Sequence, residues 1–484
     1  MDSSIRLAVA GNPIAHSISP NIFYKLFEST NIKGFYSRIA ADSFKEVIDV
    51  AKVAGIKGLN ITSPFKQDAV AYRSTAEASQ PLLTPLDQLC LTSPQVPSSS
   101  PQMPSSSPRR RPGSDNIVEK LEAANTIIIA DNGVDISLFN TDYLGVYESV
   151  KNIFLNECDG DLAKKKTAFV VGAGGAGIAA AYGLSLAGFN VTVFNRTVSK
   201  ASEKIKWIKN CCAADLKEIN NQICNADIIV NALPVNDIFF DVSKVNKNAV
   251  IFDANYKNSA LRKAATENWL QTISGLKWLV NQAIFSFEIF TGSKLPDNSI
   301  DLFTEENLTF NKKNNISFIG FMGSGKTTVG KIVAKLFNTD FIDIDKEIEK
   351  KEKMSIADIF KNKSENYFRQ IEKRVTENVF NNEKGKIIAC GGGVIKDSEN
   401  RKIITSNSFP VWLVASPEVS VKRIRDNSRP LLNTEKKHEE AVNLFNERID
   451  LYGAASSLII DSSKRSIQEI AKKIYEEISP IFKK

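Results

Sequence analysis

The sequence predicts an α/β fold throughout, on three observations. Apolar, β-rich runs at 168–171, 191–194, 228–231 and 250–253 alternate with helical patterns, as parallel strands joined by crossover helices require. Two glycine-rich stretches each follow such a run and open a helical one. The length, 484 residues, leaves room for roughly three domains at about 150 residues each. With 43% apolar and 24% charged residues the chain is neither fibrous, nor disordered, nor a disulfide-stapled miniprotein.

Taken in order, residues 1–145 form a first α/β portion, interrupted at 74–114 by a stretch holding eight of the seventeen prolines and ten serines. Such a composition buries too little apolar surface to offset its ordering entropy, and predicts a disordered insertion. Residues 146–274 carry the alternating strands, and 275–296 follow as a separate short segment. Turn formers at 293–299 and a polar run at 311–315 mark a linker, 297–313. An apolar strand at 316–319 then opens the last domain, 314–484.

The net charge of +7 is modest, and Arg109-Arg110-Arg111 is the one dense basic run, so no nucleic-acid partner is expected; anionic small ligands fit the surplus. Six cysteines without a C-x-x-C pair, and only two histidines, argue against a zinc site and for a reducing, cytoplasmic setting. No charge occurs from Thr167 to Asn195, long enough for a membrane span. Glycines 172, 174, 175 and 177 interrupt it, and the segment reads as strand, turn, helix, strand. No membrane partner is expected, and oligomeric state is not legible.

The strongest motif is Gly320-Phe-Met-Gly323-Ser324-Gly325-Lys326-Thr327, with Thr328 after it, which satisfies G-x-x-x-x-G-K-[ST] between a strand and a helix. Its backbone N–H groups would cradle phosphate at a helix N-terminus. Lys326 would reach the β and γ phosphates of a nucleoside triphosphate, and Thr327 would place its hydroxyl on Mg²⁺. Downstream, Asp343 and Asp345 lie two apart in a predicted strand, so both would share one face. One of the two carboxylates would serve the metal while the other accepts a hydroxyl proton; the alternative is that these acids cap the next helix. Then follow Phe368-Arg369, the triplet Gly391-Gly392-Gly393, Arg429-Pro-Leu-Leu, and Arg448 four before Tyr452. With these motifs in order, residues 314–484 resemble shikimate kinase, a P-loop α/β kinase. The resemblance implies that Asp345 orients the 3-hydroxyl of shikimate as base, and that Arg369 and Arg448 clamp its carboxylate. By it Gly391, Gly392 and Gly393 approach the ring, and Arg429 rides a lid over ATP. Ser364 stands where that family usually has glycine.

In the second portion Gly172-Ala173-Gly174-Gly175-Ala176-Gly177 follows a strand, and the next strand ends Asn195-Arg196-Thr197 about 20 residues on. An arginine at the place of the usual ribose-binding acid favours NADP(H) over NAD. Upstream lie Ser17-Ile-Ser19, Asn60-Ile-Thr62, Lys66, Asn125 and Asp142, and downstream Tyr256, Gly275 and Gln282. Together these make residues 1–292 similar to shikimate dehydrogenase: a substrate-binding domain (1–145) and a Rossmann NADP-binding domain (146–274). The resemblance implies that Ser17 and Ser19 bind the carboxylate of 3-dehydroshikimate. Asn60, Thr62, Asn125 and Gln282 would read its other groups, Lys66 with Asp142 would be the catalytic pair, and Tyr256 and Gly275 would lie by the nicotinamide. The expectation is therefore a bifunctional enzyme reducing 3-dehydroshikimate to shikimate and phosphorylating shikimate. The alternatives are a quinate-type dehydrogenase or an inactive scaffold in the first half, and a regulatory nucleotide-binding module in the second.

Overall fold

The computed structural model describes residues 4–75, 115–130, 135–154, 166–304, 306–308, 313–424 and 436–482. The proline- and serine-rich residues 76–114 and Arg429 lie outside them. Two compact units result. One takes in Met1–Phe65, Ile129–Val134 and Leu308–Lys484; the other takes in Lys66–Ile128 and Asp135–Asn307.

In the first unit, β1 (Ile5–Gly11), β2 (Gly34–Ala40) and β3 (Gly58–Ile61) join five strands of the C-terminal segment. These are β12 (Asn315–Ile319), β13 (Phe341–Asp343), β14 (Ile387–Ala389), β15 (Ser408–Val414) and β16 (Leu458–Asp461). The spatial order is β13-β14-β12-β15-β16-β2-β1-β3, all parallel. The strands β12, β15 and β16 are buried at every position and are mostly apolar, with Asn315, Ser317, Ser408 and Asp461 as their buried polar members. The β16–β2 contact is short, with Ile459 opposite Ile39. Crossovers from β12 to β13 and from β14 to β15 place the loops after β12, β13 and β14 at one edge, where ligands of parallel sheets bind.

The second unit holds β4 (Thr126–Ile129) and β5 (Ile136–Phe139), then a six-stranded parallel sheet. That sheet is built from β6 (Thr167–Val171), β7 (Asn190–Asn195), β8 (Cys211–Asp215), β9 (Ile228–Asn231), β10 (Val250–Asp253) and β11 (Gln271–Ser274). Its order, β11-β10-β9-β6-β7-β8, is the doubly wound dinucleotide-binding arrangement, with the switch point between β6 and β9. Side chains alternate between two cores: Ala168 and Val170 enter one, Phe169 and Val171 the other. Among the described residues no helix is long and apolar enough to cross a membrane. The uncharged stretch 167–195 is β6, the helix Gly175–Leu186 and β7.

One expectation is corrected. Asp343 and Asp345 do not share a strand: β13 ends at Asp343, and Asp345 stands in the first turn of the helix Ile344–Glu352. The cause is local. Asp343 Oδ1 accepts the backbone N–H groups of Asp345 (3.0 Å) and Lys346 (3.4 Å), and this capping bond outcompetes another strand residue.

Candidate functional site

The loop from β12 into the helix Lys326–Leu336 turns through three glycines of positive φ, 320, 323 and 325. A Cβ on Gly323 would lie 2.6 Å from the Ser420 carbonyl oxygen, so the loop admits no larger residue there. Lys326 Nζ donates to the carbonyls of Gly320 and Phe321, both at 2.9 Å, and so stays over the loop. Thr327 Oγ1 donates to Asp343 Oδ2 at 2.8 Å, which ties the ends of two neighbouring loops together. Gly323, Ser324, Gly325, Lys326, Thr327 and Thr328 line a cleft of about 650 Å³ that also reaches Asp343, Asp345 and Gly392. The Ser324 hydroxyl is buried there without a partner. A polyphosphate fits this cradle, and the Thr327 hydroxyl with the Asp343 carboxylate fits a hard cation that keeps water and phosphate oxygens as its other ligands. Among the described residues no three His, Cys, Asp or Glu cluster as a protein-only metal site.

Behind this cleft the glycine triplet is packed by charge. A Cβ on Gly391 would stand 2.8 Å from both Asp345 Oδ1 and Glu372 Oε1, and one on Gly393 would stand 2.5 Å from Arg369 Nη1. Arg369, on the helix Glu365–Asn382, donates to Glu372 Oε2 at 2.7 Å and to Glu365 Oε1 at 3.0 and 3.2 Å. Arg448 is 1% exposed, and Nη1 reaches the Gly392 carbonyl at 3.5 Å while Nε has no partner. Tyr452 OH donates to the same carbonyl. Burial pushes the Glu372 carboxyl up to about 7, Asp345 pushes it the same way, and Arg369 pulls against both.

The sequence reading missed Glu372; its signal was the spacing of three from Arg369, which puts both on one helix face. It also missed Arg423, Ser462, Arg465 and Ser466 on the far wall of the cleft, which come from segments without a motif.

In the second unit, the turn after β6 carries Gly172 at φ +103°, and Gly177 packs so closely that a Cβ would lie 2.0 Å from the Gly172 carbonyl oxygen. Above Gly174 and Gly175 nothing lies within 4 Å of an added Cβ. Ala173 and Ala176 pack against the core. This open ledge at a helix N-terminus fits a pyrophosphate. Arg196 and Thr197, after β7, are exposed, and Asn195 Nδ2 donates to the Thr197 carbonyl at 3.0 Å. Gly275 opens the helix Gly275–Thr291 against the end of β10, where a Cβ would meet the Ala254 carbonyl oxygen at 2.1 Å. Tyr256 is half-buried after β10, with Lys257 Nζ 5.5 Å from its ring centre.

Three helix starts in this unit converge. Lys66 Nζ donates to Asp142 Oδ2 at 2.6 Å across 76 residues of chain, with the Asp142 side chain 6% exposed and that of Lys66 25%. Asp142 Oδ1 accepts from Asn125 Nδ2 at 2.9 Å, and the same nitrogen lies 3.4 Å from Gln282 Oε1. Asn125 Oδ1 accepts the Thr141 backbone N–H at 2.8 Å, and Trp278 Nε1 donates to the Asp142 carbonyl at 2.9 Å. The first unit holds the other residues singled out. Ser17 Oγ and Ser19 Oγ are 3.2 Å apart, Asn60 Oδ1 accepts from Tyr36 OH at 2.8 Å, and Thr62 N donates to the Ala10 carbonyl at 3.0 Å.

Comparison with known proteins bears on both units. A family model described as shikimate kinase matches residues 322–479. A shikimate kinase of Dictyoglomus turgidum is 38% identical over 170 residues, 34% of this chain and 98% of the relative. The chain belongs to the shikimate kinase family. A second shikimate kinase, of a Sulfurihydrogenibium species, is 41% identical over 165 residues, 34% of this chain and 97% of its own. The model of the shikimate dehydrogenase substrate binding domain matches residues 9–80, and that of shikimate / quinate 5-dehydrogenase residues 155–254. A shikimate 5-dehydrogenase of Thermus thermophilus, solved in complex with NADP(H) and shikimate, is 25% identical, covering 63% of this chain and 98% of that one at a TM-score of 0.46. The chain is thus a bifunctional enzyme of the shikimate pathway, an oxidoreductase joined to a shikimate kinase.

Proposed function

We propose that the dehydrogenase segment reduces 3-dehydroshikimate to shikimate with NADPH, and that the shikimate kinase segment phosphorylates the 3-hydroxyl with Mg·ATP. One observation carries the reading. Arg448 keeps an unpartnered Nε in a buried setting, where its charge acts on Glu372, and the carboxyl groups of Glu372 and Asp345 meet at Gly391, so the site offers a guanidinium to an acid and a carboxylate to a hydroxyl.

In the kinase segment Arg369 and Arg448 hold the carboxylate, and Asp345 takes the hydroxyl proton as that oxygen bonds to the γ-phosphorus of ATP, whose bond to the bridging oxygen breaks so that ADP leaves. Lys326 and the loop N–H groups neutralise the growing charge. Thr327 and Asp343 would hold Mg²⁺, which would supply further charge neutralisation. Arg429 is proposed to close over the nucleotide.

In the dehydrogenase segment NADPH supplies the hydride, and Arg196 favours it through the 2′-phosphate. As charge builds on the C3 oxygen, Lys66 gives that oxygen a proton, and Asp142 orients the ammonium. Ser17 and Ser19 take the carboxylate, and Asn60, Thr62, Asn125 and Gln282 take the hydroxyls. Tyr256 and Gly275 flank the nicotinamide. In this scheme the domains run 1–145 for substrate, 146–274 for NADP, 275–296 as the return helix, 297–313 as linker and 314–484 as kinase.

The test is one mixture of protein, 3-dehydroshikimate, NADPH, Mg²⁺ and ATP. Shikimate 3-phosphate is the expected product. Lys66→Met should lower reduction, and Asp345→Asn phosphorylation, each by about 10²- to 10⁴-fold, with the other activity retained. Faster turnover of quinate with NAD would overturn the substrate and cofactor assignment.

A further inference from the structure

The helix Ile467–Ile478 starts at the kinase cleft, which Ile467, Gln468 and Ile470 line. Towards its other end stand two buried charged residues that neither reaction uses, Lys473 (5% exposed) and Glu477 (2%). Charges so buried require partners, and nearly all of theirs lie in the dehydrogenase segment. Glu477 Oε2 accepts the backbone N–H groups of Ile14 (2.7 Å) and Ala15 (3.1 Å), while Oε1 lies 3.4 Å from Lys473 Nζ. Lys473 Nζ donates to Asn12 Oδ1 and Asp42 Oδ1, each at 2.8 Å.

Ile14 and Ala15 belong to the turn between β1 and the helix Ser19–Thr30, the turn that carries Ser17 and leads into Ser19, the first residue of that helix. The turn is closed by the Ser17 N–H on the Ile14 carbonyl at 3.0 Å, and Ser19 N donates to Ser17 Oγ at 3.3 Å. Arg38 holds its far side: Nε and Nη2 donate to the Ser17 carbonyl at 2.9 and 2.6 Å, and Nη1 to the Ser457 carbonyl at 2.9 Å, just before β16. With Ile14 and Ala15 1% and 0% exposed, no water can replace the Glu477 carboxylate on their N–H groups without the turn moving.

We propose that Glu477 of the kinase segment is a positioning residue of the dehydrogenase: it fixes the turn 12–19 so that the Ser17 and Ser19 hydroxyls meet the substrate carboxylate. The inference rests on the carboxylate role proposed above for those serines. It makes the kinase segment a working part of the reductase.

Full-length Glu477→Ala and Glu477→Gln test it, beside Ser17→Ala. A displacement of about 1 Å at a positioning contact costs up to about 10²-fold. Glu477→Ala should therefore raise the KM for 3-dehydroshikimate by at least about tenfold. The reductase kcat, the KM for NADPH and both kinase constants should stay as in the unaltered chain. Glu477→Gln keeps an acceptor oxygen for the two N–H groups and should restore most of the loss. An unmoved KM for 3-dehydroshikimate in Glu477→Ala, or a parallel fall of both activities, overturns the proposal. If Ser17→Ala raises that KM and Glu477→Ala does not, only the positioning role falls. If Ser17→Ala leaves it unmoved, the carboxylate reading falls, and the positioning role with it.

Discussion

Both glycine turns of this chain run from a strand into a helix, but they need their glycines for different reasons. In the kinase loop, glycines 320, 323 and 325 all have positive φ, so the wrap around the phosphate position is built from backbone conformations that other residues rarely adopt. In the turn after β6, Gly172 and Gly177 are demanded by the fold, whereas Gly174 and Gly175 have open space above them. A glycine the fold does not need is one the ligand explains, and a triphosphate asks for an enclosing nest where a pyrophosphate asks for a flat ledge.

The sharpest way to break this contrast is to fill two glycines of one turn. Gly177→Ala forces a methyl onto the Gly172 carbonyl and should cost about 3 kcal/mol or more, seen in the denaturation midpoint of dehydrogenase activity. Gly174→Ala should leave that midpoint unmoved and raise the KM for NADPH about tenfold, since displaced ligand contacts of this kind are worth roughly 1.4 kcal/mol. Equal destabilisation by both would dissolve the contrast.

Burial of charge in the kinase site gives a smaller expected effect. The Glu372 carboxyl is raised in the folded chain to about 7 from 4.5, so the folded state binds its proton more tightly than the unfolded state. The stability this contributes is complete below about pH 4.5 and is lost as pH rises through about 7. Glu372→Gln should flatten that part of the stability–pH profile, on the order of 2 kcal/mol between its ends. Unfolding curves at pH 5 and 8 would measure it, and an unaltered slope would place the burial effect elsewhere. The smallest effect concerns a place where the fold asks for glycine and the chain supplies serine. Ser364 sits at φ +129°, capping the helix Glu365–Asn382 through Tyr367 N. Ser364→Gly relieves the backbone strain and loses a few tenths of a kcal/mol of capping, for a net gain of about 1 kcal/mol in thermal denaturation.

Local signals were the legible ones. The runs read at 168–171, 191–194, 228–231 and 250–253 fall on β6, β7, β9 and β10 to within a residue, because parallel strands buried on both faces must be apolar throughout. The phosphate loop was legible because its context, strand then helix, is contiguous. Asp345 was misplaced because an aspartate at a strand end is equally a helix cap, and nothing in the sequence weighs the two. Lys66 and Asp142, 76 residues apart, met in the reading only through a family resemblance. Glu372 and Glu477 stayed invisible, since a buried carboxylate is defined by partners that only the folded chain brings near.

The short β16–β2 contact has a consequence for what happens when the two segments are parted. Each of these strands would otherwise be a rim, with backbone groups ready to recruit any passing chain. Here the two rims meet at one residue pair, Ile459 with Ile39, and Ser37 Oγ and Ser456 Oγ are 2.8 Å apart beside the junction. Expressing either segment alone would leave Ile39 or Ile459 without the strand neighbour that the full chain gives it, a local backbone change that hydrogen exchange at the two strands would read.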